Sequence, residues 1–452
     1  MQTPPIVLIP GLTGTRLQTQ QQSNDAYNLW VSVEAMLPSL AADLTSIGGA
    51  TIPTKVGWGR PEPARQDHPD DFCISPSDWW LDEMQLSADG VTPLRCPTYN
   101  QPVQGLPAIS VLDTAPWMFE FTWYFYYVIQ RLRGAGYGAG KLAAAPYDWR
   151  TAPTGLSNRY EYFVHLRDLI VSLYANNGGS PVTIIAHSLG NRVTQYFLEW
   201  IKGDRGLGQA WIDEHIGRYV AVSPLWIGGP RAVREALTGG YQFGPLSIRG
   251  MKRVIQSYGS VPWMFPITPA QYLYLNTSAF AFLASDTQPL SITEALAQGQ
   301  ATGMAQFLKQ YYQDDPNFTD PGCPTGSRAV QTPPVKALDV FYATGQETEI
   351  GAYYRPTQDG LAVDDAAAST NPQFKVQNGI RLEVPGKTLQ QVDGTYKSGD
   401  GTVPYGSLGY FMVWAQQSHV PTITGHEIPG SEHTLVLRDD RFLDQLMQVL
   451  GK

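Results

Sequence analysis

The stretch TIIAHSLGN, Thr183 to Asn191, sets a serine between a β-branched apolar run and a segment of helical period, NRVTQYFLEWI. A tight strand-to-helix turn projects such a serine from a sheet edge, and small residues two positions before and after it let the backbones approach. Ala186 and Gly190 hold those positions, with alanine where glycine is the commoner choice. Ser188 is therefore a candidate nucleophile for acyl chemistry. The amide of Leu189, at the start of the following helix, is a candidate donor to the oxyanion which that chemistry creates.

A second donor is required from the loop after an early strand. VLIPGLTGTRL supplies one, because Gly11 permits a tight turn after Ile9 and lets the amide of Leu12 face the serine. The base is sought late in the chain, since the order in this arrangement is Ser, then Asp or Glu, then His. His215, His419, His426 and His433 follow Ser188. His433 comes after a strand-like run and just before the last helical segment; His426 is its rival, and His419 reads as a surface residue. The orienting carboxylate has two candidates in QVDGTYKSGDGTVP, where Asp-Gly-Thr occurs at Asp393 and again at Asp400. An Asp-Gly pair is also ordinary hairpin chemistry.

Positioning these groups calls for an open α/β sheet. Buried parallel strands read as continuous apolar runs, and PIVLIP (Pro5 to Pro10), PVTIIA (Pro181 to Ala186), RYVAVSP (Arg218 to Pro224) and ALDVFYA (Ala337 to Ala343) fit that description. Helices are predicted over APWMFEFTWYFYYVIQRLRGAGYG, closed by Gly134, and YEYFVHLRDLIVSLYANNGG, closed by Gly178. Two long segments rich in Pro, Gly and aromatics interrupt the alternation and read as insertions. The expected division is a core of residues 1–36, 107–224 and 336–452, with insertions at 37–106 and 225–335.

Bulk composition excludes several function classes. A net charge of −9 without a basic stripe argues against a sequence-independent hold on nucleic acid. No apolar run is long enough for a membrane-spanning helix, and the opening MQTPPIVLIPG enters a strand-like run without a leader. Cys73, Cys96 and Cys323 are too few for a thiolate metal cluster, while Cys73 and Cys96 are spaced to close a loop. If oxidised, that loop favours an exported protein; otherwise a cytoplasmic one is expected. GAGYGA (Gly134 to Ala139) ends a helix instead of following a strand, which argues against a dinucleotide site. HVPTITGHEIPGSEH spaces three histidines without the H-E-x-x-H pattern, so neither a metal nor any other cofactor is expected. Asp148 and Arg150 in PYDWR read as a structural ion pair.

Taken together, VLIPGLTG, AAPYDWR, AHSLGN, SVPWMFP, GDGTVP and GSEH resemble, in kind and in order, the lecithin:cholesterol acyltransferase-like lipid hydrolases and acyltransferases. The resemblance implies an α/β-hydrolase fold with Ser188 as nucleophile, Asp400 as orienting acid and His433 as base, and the amides of Leu12 and Leu189 as oxyanion donors. Asp400 is selected because it sits in a Gly-Asp-x-Thr-Val string, which Asp393 does not. By the same resemblance, 37–106 is a membrane-binding segment closed by a Cys73–Cys96 disulfide, with Trp79 and Trp80 as lipid contacts. Residues 225–335 become a cap over the acyl pocket, with Trp263 as a further contact. Leu12 replaces an acid that some phospholipase members carry there, so an acidic pH optimum is not expected. The implied activity is cleavage or transfer of acyl groups from phospholipids at a membrane or micelle surface. The alternatives are an esterase or lactonase for another ester, and a lipid-binding protein with a vestigial triad.

Overall fold

The four apolar runs all enter one sheet. A computed structural model describes residues 3–20, 26–30, 72–74, 76–95, 101–113, 122–203, 206–243, 246–248, 250–267, 281–284, 288–317, 331–386, 397–417 and 422–452. Its central sheet has six parallel strands, β1 (Ile6–Ile9), β2 (Leu142–Ala144), β3 (Val182–His187), β4 (Ile216–Val222), β5 (Ala337–Thr344) and β6 (Thr422–Pro429), in the order β6-β5-β4-β3-β1-β2. Every residue of β1 and β3 is buried. Strands covered on both faces need such continuous apolar sequence, and each buried Val, Leu or Ile contributes about 1.5–3 kcal/mol. The two edge strands are less legible: β2 is three residues long, and β6 is largely solvent-facing.

The chain leaves β1 for β2 on one side and returns to β3 on the other. Connections that diverge in this way open a crevice at the carboxyl ends of the strands, where α/β proteins place their ligands. Ser188 follows β3 and Gly11 lies just beyond β1, so this serine and the first loop meet at that crevice.

Helices α1 (Tyr126–Gly134), α2 (Tyr162–Asn176), α3 (Leu189–Gly203) and α4 (Asp440–Val449) accompany the sheet. The helix α2 ends as expected, with Gly178 just beyond it at φ 66°. The helix α1 is shorter than the sequence predicts. Residues 114–121 lie outside the described ones, and Trp123 forms an antiparallel bridge with Val111 in place of a helical turn. Tyr124 is drawn instead to the loop after β1, where it accepts a bond from Gly11 N at 2.9 Å. A tertiary bond here overrides a weak aromatic helix preference.

The two interrupting segments are joined. Strand Phe72–Ile74, which contains Cys73, runs parallel to Leu246–Ile248, and that strand pairs antiparallel with Tyr241–Phe243. Cys96 and Cys323 lie outside the described residues, and no disulfide occurs among those described. Residues assigned to the core by sequence also turn elsewhere. Thr348–Thr357 pairs in parallel with Ala281–Leu283 and antiparallel with Ile380–Glu383, so part of 336–452 builds a second, mixed sheet with the 225–335 segment. No helix among the described residues is long and apolar enough to cross a membrane.

Candidate active site

Ser188 occupies the turn between β3 and α3 at φ 53°, in the left-handed region that a non-glycine residue seldom adopts. Its neighbours explain the motif. Ala186 is flanked in register by Ile9 and Ala221, and Ser188 N donates to Val222 O at 3.0 Å. A Cβ on Gly190 would lie 2.5 Å from Pro10 O, and one on Gly11 would lie 2.8 Å from Ser188 Cβ. Either glycine replaced by alanine forces backbone apart, at a cost of about 1–3 kcal/mol or more. Asn191 secures the turn, its Nδ2 donating to Ser188 O at 3.0 Å and Val222 O at 3.1 Å while Tyr219 Oη donates to its Oδ1 at 2.8 Å.

The imidazole of His433 bridges the serine and a carboxylate. Its Nε2 is 2.8 Å from Ser188 Oγ and its Nδ1 is 2.7 Å from Asp400 Oδ2. A carboxylate only accepts, so Nδ1 carries the hydrogen and Nε2 presents a lone pair to the hydroxyl. Asp400 Oδ1 accepts from the amides of Thr402 and Val403 at 3.0 and 2.7 Å. The string around it follows from the close turn: a Cβ on Gly399 would lie 2.1 Å from Val403 O, and Gly401 sits at φ 87°. Beneath the turn, the buried Glu383 Oε1 accepts from Gly399 N and Tyr405 N, both at 2.7 Å. Burial pushes the Glu383 carboxyl up to about 8, against those two amide bonds and with the neighbouring Asp400 adding to the rise. Sequence gave no sign of Glu383, because its role depends on a fold-level meeting of two loops.

Two elements border the serine, the start of α3 and the loop after β1. Leu189 opens α3, where the first N–H groups have no intrahelical partner. In the other loop, Gly11 N is bonded to Tyr124 Oη, which leaves the next amide, that of Leu12, without a partner among the described residues. That loop passes through Thr13 at φ 59°, a strained conformation for a β-branched residue, and Trp30 Nε1 holds it by a 2.7 Å bond to Thr13 O. Beside it lies a small apolar pocket, walled by Leu12, Trp30, Trp149, Met251, Ile255 and Met264 among others.

Comparison with known proteins agrees with this architecture. The family model described as lecithin:cholesterol acyltransferase matches residues 72–288. A rat protein named lysosomal phospholipase A and acyltransferase is 24% identical over 99% of this chain and 90% of its own length. The phospholipid:diacylglycerol acyltransferase of Schizosaccharomyces pombe is 25% identical over 76% of this chain and 60% of its own. The chain is similar to the lecithin:cholesterol acyltransferase-like family over residues 72–288 and to its relatives over most of its length. One solved chain, from "The crystal structure of Tle4-Tli4 complex", superposes with a TM-score of 0.50 at 13% identity, covering 99% of this chain and 98% of that one, and so supports the fold alone.

Other residues singled out in this lecithin:cholesterol acyltransferase-like sequence fall away from the crevice or into the core. Trp80 is fully buried with its Nε1 donating to Leu29 O at 3.0 Å, and Trp263 is buried edge-on to Tyr196. Neither presents a face to lipid, because Trp80 packs against Trp30 and Trp263 packs against Tyr196 and Tyr312. Trp79, on the same short helix Asp78–Met84, is half-buried. His426 lies on β6 and bonds Asp339, while His215 is stacked on Trp211. Asp393 and His419 are outside the described residues. Asp148 and Arg150 form a fully buried bidentate pair, and Arg150 Nη1 also donates to Met84 O at 3.3 Å, tying the first insertion to the core. No cluster of His, Cys, Asp or Glu among the described residues could hold a metal ion.

Proposed function

We propose that this chain is a serine enzyme of the α/β-hydrolase type that cleaves or transfers acyl groups of phospholipids through an acyl-enzyme. The observation that carries the reading is the continuous contact Ser188 Oγ, His433 Nε2, His433 Nδ1, Asp400 Oδ2, drawn from three distant parts of the chain. His433 takes the Ser188 proton as Oγ attacks the ester carbonyl, Asp400 holds the imidazole in the required tautomer, and the amides of Leu12 and Leu189 receive the oxyanion. The proton then passes from His433 to the leaving alcohol, and water or a second alcohol releases the acyl group by the reverse sequence. Losing one oxyanion donor raises such a barrier by about 3–4 kcal/mol.

Relatives named for phospholipase A and for acyl transfer to diacylglycerol support a phospholipid donor. The pocket beside Leu12 offers an apolar wall to the methylene groups of an acyl chain. In this reading 37–106 meets the lipid surface with Trp79 as its contact, 225–335 roofs the acyl site, and Cys73 pairs with Cys96. A thiol titration of the denatured, unreduced protein decides the pairing.

The deciding experiment presents vesicles of a mixed-chain phosphatidylcholine with and without a long-chain alcohol. Free fatty acid is expected alone, and an acyl ester of the alcohol when it is present. Turnover no greater than that of Ser188→Ala rejects the phospholipid reading, and labelling of Ser188 by a fluorophosphonate under those conditions leaves an esterase or lactonase. Failure of both leaves a lipid-binding protein.

A further inference from the structure

We propose that Tyr124 and His187 are positioning residues that tie the oxyanion loop to the catalytic base by one directed chain of hydrogen bonds. The proposal rests on reading Ser188 and His433 as the reacting pair. Gly11 N donates to Tyr124 Oη at 2.9 Å, Tyr124 Oη lies 2.5 Å from His187 Nδ1, and His187 Nε2 lies 2.9 Å from the backbone O of His433. A carbonyl only accepts, so His187 Nε2 carries the ring hydrogen and Nδ1 the lone pair. The phenol hydrogen must then point to Nδ1, while its oxygen accepts from Gly11. Every group in the chain is satisfied, whereas the other tautomer would face the His433 carbonyl with a lone pair.

The tie is dry and close-fitting. His187 and Tyr124 are buried, and a Cβ on Gly14 would lie 2.5 Å from the Tyr124 ring, so both glycines of the PGLTG loop yield to this tyrosine or to Ser188. Burial pushes His187 down to about 3, helped by the neighbouring His433, and pushes the Tyr124 phenol up. Both groups stay neutral wherever the protein is folded and active.

The arrangement sets two distances at once. Occupying the Gly11 amide leaves that of Leu12 to face the serine. At the other end the His433 backbone is held on both sides, its N–H by Asp400 O at 3.0 Å and its carbonyl by His187. The residue before the nucleophile therefore helps fix the imbalance-sensitive separation of base and oxyanion donors, where a displacement of about 1 Å costs on the order of a hundredfold in rate.

The test uses the full chain with a soluble p-nitrophenyl ester, the rate of fluorophosphonate labelling, and thermal melting. Tyr124→Phe is expected to lower kcat and the labelling rate by about 10- to 100-fold with KM near wild type and Tm lowered by no more than about 3 °C. His187→Gln retains a nitrogen donor near the position of Nε2 but loses the Nδ1 acceptor, cutting the same link as Tyr124→Phe. The double variant should therefore be no slower than the slower single one, whereas independent packing defects multiply. His187→Asn keeps the acceptor for Tyr124 and loses the donor to His433; since a chain cut at either link no longer joins its ends, combining it with Tyr124→Phe should likewise add no further loss. Wild-type rates in Tyr124→Phe, or losses in the double variant that multiply, overturn the proposal. Should Tyr124→Phe fail to fold, a wild-type rate in His187→Gln overturns it equally, and a reduced rate at unchanged Tm supports it. Absence of labelling in the wild type would instead remove the reading of Ser188 itself.

Discussion

Two histidine–aspartate pairs lie close together in the last third of the chain. His433 Nδ1 meets Asp400 at 2.7 Å, and His426 Nε2 meets Asp339 at 2.8 Å. Distance alone does not separate them; position in the sheet does. Asp339 and His426 sit within β5 and β6, where the strand neighbours fix them sideways: His426 stacks on Phe341 at 4.3 Å between centroids, and Arg218 also pairs with Asp339. Asp400 and His433 stand on loops beyond the strand ends, where His433 keeps its second nitrogen for Ser188. A histidine–carboxylate pair becomes a candidate for catalysis only where a nucleophile can reach the nitrogen that the carboxylate leaves unused.

The sharpest way to break this contrast is Ser188→Ala, which should lower kcat on a soluble ester by about 10⁶-fold, to the level left by oxyanion donors and binding. Retained turnover would sink the assignment of the nucleophile. Next, Asp400→Asn should cost about 10⁴-fold through the wrong imidazole tautomer, while Asp393→Asn leaves kcat near wild type; the reverse order would transfer the role to the first Asp-Gly-Thr. His426→Asn should act on stability instead, removing about 1 kcal/mol and lowering Tm by about 1 °C in calorimetry with turnover intact. An activity loss without a Tm change there would erase the distinction between the pairs.

The smallest effect concerns Glu383. Its folded value near 8 lies above its ordinary 4.5, so the folded protein holds the proton more tightly than the unfolded one. Its contribution to stability is therefore complete below about 4.5 and is lost as pH rises toward 8. Glu383→Gln should flatten the fall in Tm across that interval. Parallel Tm–pH curves for the two proteins would show that this carboxyl does not titrate there.

Much of this site could be read before any coordinates. Ser188, Gly190 and Gly11 announce themselves because close backbone approach permits few residue types, and β1, β3, β4 and β5 because double burial demands unbroken apolar sequence. Asp400 was separable from Asp393 only by resemblance, since either could make the same turn. What stayed hidden has one physical character: it depends on contacts between segments far apart in the chain. Tyr124 lay inside what looked like a helix, Glu383 inside an unremarked strand, and the pairing of Ala281–Leu283 with Thr348–Thr357 joined two stretches that composition had placed in different units. Trp80 and Trp263 misled in the opposite direction, because a tryptophan in an insertion carries the same one-letter signal whether it faces lipid or fills a seam.

The small sheet in which Phe72–Ile74 runs beside Leu246–Ile248 has a consequence for heredity as much as for mechanics. Each segment supplies backbone partners that the other would otherwise lack, so exchanging one of them for a relative's version delivers half of a joint. Descent should have altered the pair together, and a chimera ought to tolerate the swap only when both halves travel as one.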